Sequence, residues 1–262
     1  MALQPRDIPI GLQLYSVRRE CQKDEGKNFP NVVAAVAKMG YDGVEFAGYY
    51  GWQAADIRKV LDDNGLVCCG AHVQLATLLG DELDRSVEFH RTLGNRFLIV
   101  PSLPEEFRGS AAAWGKAADT LNEIGDRLRP HGMVTGYHNH SHEFAPIDGR
   151  VPWEIVFDAT ADGVVMQLDV GNAMRGGGDC AAYLRKYAGR ATTLHVKEHG
   201  GAEEAAVGEG EANWSELLPL AAEVGGTEWY IVEHERNPET CVPDVGRCIT
   251  NLRRIIGEIN PT

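Results

Sequence analysis

The chain has 262 residues, of which 44% are hydrophobic and 24% are charged, as in an ordinary soluble globular protein. Its formal net charge of −13 argues against a nucleic-acid partner, because binding to a phosphate backbone depends on clustered Lys and Arg. No apolar run is long enough to span a membrane, and the polar segment Met1–Ile8 contains no signal-peptide core. We therefore expect a cytoplasmic protein that acts on a small molecule and binds neither nucleic acid nor membrane.

Short apolar runs alternate with amphipathic helical patterns along the whole chain. The runs that we interpret as strands are Ile8–Tyr15, Gly43–Phe46, Leu66–Val73, Arg96–Val100, Met133–Asn139, Val164–Val170, Ala191–Lys197 and Glu228–Glu233. Eight strand–helix units predict a closed parallel barrel, so the predicted fold is α/β, a single-domain (β/α)8 TIM barrel over residues 1–262. The rival fold is a doubly wound open sheet, but no Gly-x-Gly-x-x-Gly turn follows the first strand.

Polar side chains are concentrated where the predicted strands end, and in a barrel those ends form the active-site face. Plain structural explanations exist for single members, since Asp169 could hold the following turn and Lys197 could extend to solvent. Such explanations rarely all apply at one end of a barrel, so their coincidence favours a site. The residues at these ends are Gln13, Tyr15, Glu45, His72, His138, His140, Glu143, Asp169, His195, Lys197 and Glu233.

This combination of carboxylates and imidazoles predicts one divalent cation, with Mn²⁺ as the first choice and Mg²⁺, Co²⁺ or Zn²⁺ as alternatives. Such a cation binds a carbonyl and its neighbouring hydroxyl, acidifies the adjacent C–H bond and stabilises the enediolate that forms. Two glutamates on opposite sides of that carbon would remove and return the proton. The pattern therefore indicates proton transfer next to a carbonyl group.

Several of these motifs resemble the sugar phosphate isomerase/epimerase family. They are Leu12–Ser16, Gly40–Glu45, Ala71–Val73, His138–His140, Leu168–Asn172, Leu194–Lys197 and Val232–Glu233. The family consists of xylose-isomerase-like TIM barrels and also includes ketose 3-epimerases, inosose dehydratases and apurinic endonucleases. The resemblance extends over nearly the whole chain. It implies one divalent metal held by ligands from strands five to eight, and Asp169, His195 and Glu233 match that pattern directly.

The fifth strand departs from the family pattern, because many relatives have Glu where this chain has His138. Glu143, five residues later, is our preferred ligand, with His138 as the alternative. If Glu143 binds the metal, then Glu143 and Glu233 exchange the substrate proton. If His138 binds instead, the two-glutamate shuttle is broken and a lyase is favoured. The expected substrate contacts are Gln13, Tyr15, Glu45, His72, His138, His140, Asn172 and Lys197.

The resemblance implies a metal-dependent isomerase or epimerase of a ketose or keto-sugar. The alternative is a lyase or dehydratase of a keto-sugar, keto-glycoside or inosose, which eliminates a group from the same enolate. An apurinic endonuclease is a remote alternative, because Asn172 stands where a further histidine is expected and the net charge is unsuited to DNA. The expected partner is a small sugar substrate. The sequence does not distinguish a monomer from a homo-oligomer, although barrels of this kind are often dimers or tetramers.

Overall fold

The computed structural model describes residues 3–203, 205–235 and 241–259, and its centre is a closed barrel of eight parallel strands. Strand order follows the chain, and β1 pairs with β8 to close the sheet. This confirms the predicted (β/α)8 fold, although the predicted span of 1–262 includes residues outside those described. The strands are β1 (Ile10–Gln13), β2 (Gly43–Phe46), β3 (Val67–His72), β4 (Phe97–Val100), β5 (Val134–His138), β6 (Val165–Asp169), β7 (Thr193–Val196) and β8 (Trp229–Val232).

Helices connect successive strands and bury their apolar faces. The last helix, α10, places Val245, Ile249 and Leu252 in the core. Two short helices of six and seven residues follow β6, where helical periodicity has too few residues to be recognised. The helices are α1 (Arg18–Gln22), α2 (Phe29–Met39), α3 (Ala54–Asp63), α4 (Glu82–Leu93), α5 (Ala111–Leu128), α6 (Pro152–Ala159), α7 (Val170–Arg175), α8 (Cys180–Lys186), α9 (Trp214–Leu220) and α10 (Cys241–Ile259).

The strand register brings polar side chains together at the carboxyl end of the barrel. Neighbouring strands pair Gln13 with Glu45, His138 with Gln167, and Asp169 with His195. Each of these six side chains is buried, with at most 1% of its surface exposed. Side chains alternate between the two faces of a strand, so a shift of one residue would turn them towards the helices. The register therefore builds a polar layer inside the barrel.

Two further properties concern the whole described chain. The six cysteines are all buried and unpaired. Among residues 3–203, 205–235 and 241–259, no helix combines the length and apolar character that a membrane span requires.

Candidate metal centre

Four buried side chains from consecutive strands converge at the carboxyl end of the barrel. His138, Asp169, His195 and Glu233 each offer a nitrogen or oxygen atom, and these atoms lie within 4.8 Å of one another. Nδ1 of His195 is 2.9 Å from Oε2 of Glu233 and 3.8 Å from Oδ2 of Asp169. The four residues therefore direct two imidazoles and two carboxylates at one small volume.

An unpaired polar atom shows that this volume suits a cation. Nδ1 of His195 is buried in an ion pair 2.9 Å from Oε2 of Glu233, whereas Oδ2 of Asp169 is buried with no hydrogen-bond partner. Leaving such an atom buried and unpaired costs about 1–3 kcal/mol. Imidazole nitrogens and carboxylate oxygens are ligands that divalent first-row metals accept. The residues present therefore fit the divalent metal that the sequence predicts.

Glu45 orients His195 for this role. Its Oε2 atom lies 2.6 Å from Nε2 of His195 and accepts a hydrogen bond from Gln13 at 2.7 Å. An ionised carboxylate only accepts, so Nε2 carries a proton and Nδ1 is the nitrogen directed at the cluster. Burial alone would lower the pKa of His195, but the carboxylates of Glu45 and Glu233 outweigh it and raise this pKa to about 10. A cation binding at Nδ1 must therefore displace a proton.

Gln167 orients His138 in the same way. Its Nε2 atom donates to Oε1 of Glu45 at 2.8 Å and to Thr193 at 3.0 Å. These bonds turn Oε1 of Gln167 towards Nε2 of His72, at 2.7 Å, and Nδ1 of His138, at 3.1 Å. Since this amide oxygen only accepts, His138 carries its proton on Nδ1 and keeps the lone pair of Nε2. Burial lowers the pKa of His138 well below its usual value, so the ring is neutral.

Sequence reasoning did not assign roles to Gln167 and Thr193. Gln167 lies two residues before Asp169 on the same strand, so their side chains share a face. That spacing is the signal that could have identified Gln167. Thr193 occupies the equivalent position two residues before His195.

The buried carboxylate of Glu45 also depends on the neighbouring strand. A Cβ atom placed on Gly70 of β3 would lie 2.5 Å from Oε1 of Glu45, so only glycine leaves room there. Burial alone would raise the pKa of Glu45, but the imidazoles of His72 and His195 and two hydrogen bonds outweigh it and lower this pKa. Glu45 is therefore held as an anion beneath the cluster.

Glu143, the preferred ligand in the sequence, lies outside the cluster. Its Oε1 atom accepts a hydrogen bond from the Tyr137 hydroxyl at 2.7 Å, and its Oε2 atom accepts from the His140 amide at 2.9 Å. The Tyr137 ring lies on the outer face of β5, between Trp114 and Trp153. Side chains alternate along a strand, so Tyr137 points outwards and His138 points inwards. The turn after β5 brings Glu143 to Tyr137, and His138 takes the position beside Asp169.

Lys197 positions Glu233. Its ammonium nitrogen lies 2.9 Å from Oε1 of Glu233 and 2.6 Å from Oε2 of Glu235. Burial alone would raise the pKa of Glu233, but the charge of Lys197 outweighs it and holds this pKa well below its usual value. Burial also raises the pKa of Asp169, to about 7, although Lys197 opposes the shift. The structure thus places Lys197 in an ion pair with Glu233, and its predicted substrate contact stays a prediction.

A cavity of about 900 Å³ opens over the cluster. Glu233 lines it, as do four of the predicted substrate contacts, namely Tyr15, His72, His138 and His140. The other four predicted contacts, Gln13, Glu45, Asn172 and Lys197, are not part of its lining. Asn172 instead follows Asp169 in the turn after β6, where its backbone N–H donates to Oδ1 of Asp169 at 2.7 Å. Asp169 therefore holds this turn with one oxygen and faces the cluster with the other.

The family model described as "Xylose isomerase-like TIM barrel" matches residues 33–252. The chain therefore belongs to the xylose isomerase-like TIM barrel family, which confirms the resemblance seen in the sequence motifs.

Individual relatives have different activities. The rhizopine catabolism protein MocC of Rhizobium meliloti is 23% identical over 248 residues, which cover 80% of this chain and 76% of the relative. The inosose dehydratase of Clostridium beijerinckii is 23% identical over 218 residues, covering 75% of this chain and 72% of the relative.

Solved structures also align over most of the chain. A sugar phosphate isomerase/epimerase from Parabacteroides distasonis superposes with a TM-score of 0.81 and 25% identity, covering 94% of this chain and 98% of that one. The IolI protein, whose structure contains a zinc atom, shares the fold with a TM-score of 0.74 and 16% identity, covering 97% and 100% of the two chains.

Proposed function

We propose that the protein is a divalent-metal-dependent lyase that eliminates a group from a keto-sugar. The observation that carries this proposal is the convergence of His138, Asp169, His195 and Glu233 under a cavity, with Glu143 turned away. A bound cation would polarise the substrate carbonyl and stabilise the charge that develops when the adjacent carbon loses its proton. The zinc atom of the IolI protein supports a divalent metal without choosing among Mn²⁺, Mg²⁺, Co²⁺ and Zn²⁺.

Glu233 is our candidate for the base. It belongs to the cluster and also lines the cavity, so its carboxylate has access both to the cation and to the substrate. Lys197 holds its Oε1 atom in place. Proton transfer between fixed groups avoids the cost of reorienting them during the reaction. Glu233 would thus take the proton from the carbon next to the carbonyl.

The oxygen of the leaving group must take a proton from a residue other than Glu233. His72 and His140 line the cavity and lie outside the proposed set of four ligands. Nε2 of His72 is engaged by Gln167, so Nδ1 is the nitrogen left for the substrate. In the neutral ring that nitrogen only accepts, so we assign protonation of the departing oxygen to His140.

We therefore propose elimination as the first candidate and epimerisation as the second. The sequence predicts the opposite order. An epimerase needs a second acid on the other side of the carbon, and the sequence assigned that role to Glu143. With Glu143 bonded to Tyr137 and His140, one glutamate remains in the cluster. The sequence similarity to inosose dehydratase supports the same choice. Isomerisation remains the second candidate, favoured by the superposition with the Parabacteroides isomerase/epimerase.

Incubation with Mn²⁺ and keto-sugars in D₂O tests the proposal. We expect an ultraviolet-absorbing enone to accumulate, and Glu233→Gln and metal removal to abolish it. Glu143→Gln is the matched control and should retain turnover. Deuterium in recovered sugar without any enone would instead establish isomerisation. The absence of both exchange and enone, with the metal bound and across a panel of keto-sugars and their glycosides, would contradict both candidate functions.

A further inference from the structure

The outer part of the cavity has a wall that the proposed chemistry does not use. Tyr49, in the loop after β2, and Phe89 and His90, on α4, line this wall. The rings of Tyr49 and Phe89 lie 4.4 Å apart between centroids. Aromatic rings with a polar group at one end are typical of ligand sites, where they supply apolar contact area and an orienting hydrogen bond. We refer to Tyr49, Phe89 and His90 as the outer wall.

Hydrogen bonds behind the outer wall fix the proton positions of His90. The backbone N–H of Phe97 donates to Oδ1 of Asn95 at 3.0 Å, which sets the orientation of that amide. Nδ2 of Asn95 then faces Nδ1 of His90 at 3.0 Å and can only donate to it. His90 therefore accepts at Nδ1 and carries its proton on Nε2. Burial, which leaves 2% of His90 exposed and lowers its pKa to about 4, keeps the ring neutral.

This arrangement determines which hydrogen Tyr49 presents. Nε2 of His90 lies 3.2 Å from the Tyr49 hydroxyl, and because that nitrogen carries the proton, the hydroxyl oxygen accepts from it. The hydroxyl hydrogen of Tyr49 is then not used by His90. Since Tyr49 lines the cavity, this hydrogen is available to an acceptor on a ligand. The buried chain Phe97–Asn95–His90 thus makes Tyr49 a donor towards the cavity.

The volume of the cavity indicates how large a ligand must be to contact both the cluster and the outer wall. Its volume of about 900 Å³ is near the upper end of the roughly 300–1,000 Å³ typical of ligand pockets. A single sugar ring bound at the cluster is smaller than the drug-sized ligands that fill such pockets. At the rim, the exposed ion pair of Glu82 and Arg85, 2.7 Å apart, adds polar groups beside the aromatic rings. An apolar ring face with polar edges, as in a sugar, matches this combination.

We propose that the outer wall is a subsite for a second sugar ring, so that the substrate is a keto-glycoside and not a free keto-sugar. The second ring packs against Tyr49 and Phe89, and one of its oxygens accepts the Tyr49 hydroxyl hydrogen. This proposal rests on the proposed lyase function and specifies its leaving group.

The elimination is balanced without an oxidant. The C–H bond beside the carbonyl breaks and its proton passes to Glu233, while a carbon–carbon double bond forms. The bond from the next carbon to the linking oxygen breaks, and that oxygen takes a proton from His140. The products are an enone and a free sugar.

Affinity measurements without turnover test the subsite. The unmodified protein, kept from turning over by removal of its metal with a chelator, is titrated with the methyl glycoside of a keto-sugar ring and with the same ring carrying glucose through the same bond. We expect the two-ring compound to bind about tenfold more tightly. Adding Tyr49→Phe should reduce that preference about fivefold, the effect of one hydrogen bond. Phe89→Leu should also reduce it, while Tyr183→Phe on α8, outside the cavity lining, should not.

Two results would overturn the subsite. One is equal affinity for the one-ring and two-ring compounds, and the other is a preference that survives both Tyr49→Phe and Phe89→Leu. Failure of the proposed lyase function is recognised separately. In that case the unmodified, metal-loaded protein shows no turnover, while the difference in affinity between the two compounds can still be measured. A nitrogen-15 NMR spectrum gives a further readout. We expect His90 to show an unprotonated Nδ1, and a proton on Nδ1 would contradict the donor role of Tyr49.

Discussion

Nε2 of His195 lies 2.6 Å from Oε2 of Glu45, and both side chains are completely buried at the carboxyl end of the barrel. This contact holds His195 with its other nitrogen directed at Asp169 and Glu233. Through Gln167, the same carboxylate also sets the proton position of His138. One buried anion therefore orients two of the four proposed ligands, although it touches neither the cavity nor the cluster's centre.

We expect Glu45→Gln to weaken metal binding by about 10- to 100-fold, the usual effect of losing a partner that orients a histidine ligand. The neutral amide removes the charge that holds the proton on Nε2 of His195. Competition with a chromophoric chelator measures the affinity. Glu216→Gln is the control, because Glu216 forms an exposed ion pair with Arg185 and should leave the affinity unchanged. Equal affinities for the two variants would show that Glu45 has no orienting role.

The structure places His138 in the cluster and Glu143 outside it, so His138 is the proposed ligand from the fifth strand. His138→Ala should abolish stoichiometric metal binding, because it removes one of four ligands. Glu143→Gln should bind the metal as the unmodified protein does, and should lose about 1–3 kcal/mol of stability through weaker bonds to Tyr137 and His140. Metal content after dialysis and urea unfolding measure the two effects. The opposite pattern of metal content would restore Glu143 as the ligand.

Metal affinity should increase with pH. In the metal-free protein the pKa of His195 is raised to about 10, so below pH 10 its Nδ1 atom carries a proton that the cation must displace. The logarithm of the affinity should therefore rise by about one unit per pH unit between pH 7 and 9. Below pH 7 the dependence should steepen, since Asp169, with a pKa of about 7, is then protonated as well. Calorimetry in buffers of different ionisation heat counts the released protons. An affinity independent of pH would contradict this assignment.

Gly70→Ala should displace the Glu45 carboxylate, which orients the proposed metal ligands. The added Cβ would lie 2.5 Å from Oε1 of Glu45, so the carboxylate must move away from Gln167. We expect a loss of about 1–3 kcal/mol in the free energy of unfolding, together with weaker metal binding. Gly115→Ala on α5 is the matched control, since no atom lies within 4 Å of its added Cβ. It should raise stability by up to about 1 kcal/mol through helix propensity. Urea unfolding in the presence of a chelator compares the two, and equal stabilities would refute the close contact.

Much of the fold and part of the site follow from local sequence patterns. Eight apolar runs separated by helical segments predict a closed barrel, because strand–helix alternation requires a parallel sheet with helices outside. Asp169 ends β6, His195 is the last residue but one of β7 and Glu233 directly follows β8, so their positions along the chain are enough to place them at one end of the barrel. The short helices after β6 were not predicted, because six or seven residues contain too little periodicity.

The sequence by itself determined the barrel and placed Asp169, His195 and Glu233 at one end of it, since both depend on spacing along single strands. Only the tertiary structure shows that His138 lies in the cluster and that Glu143 lies outside it. That arrangement depends on the direction in which Tyr137 points and on the path of the turn after β5, and neither is encoded in a local pattern. The roles of Glu45 and Gln167 likewise depend on the register between strands distant in sequence, because a buried polar atom takes whichever partner the packed barrel brings within hydrogen-bond distance.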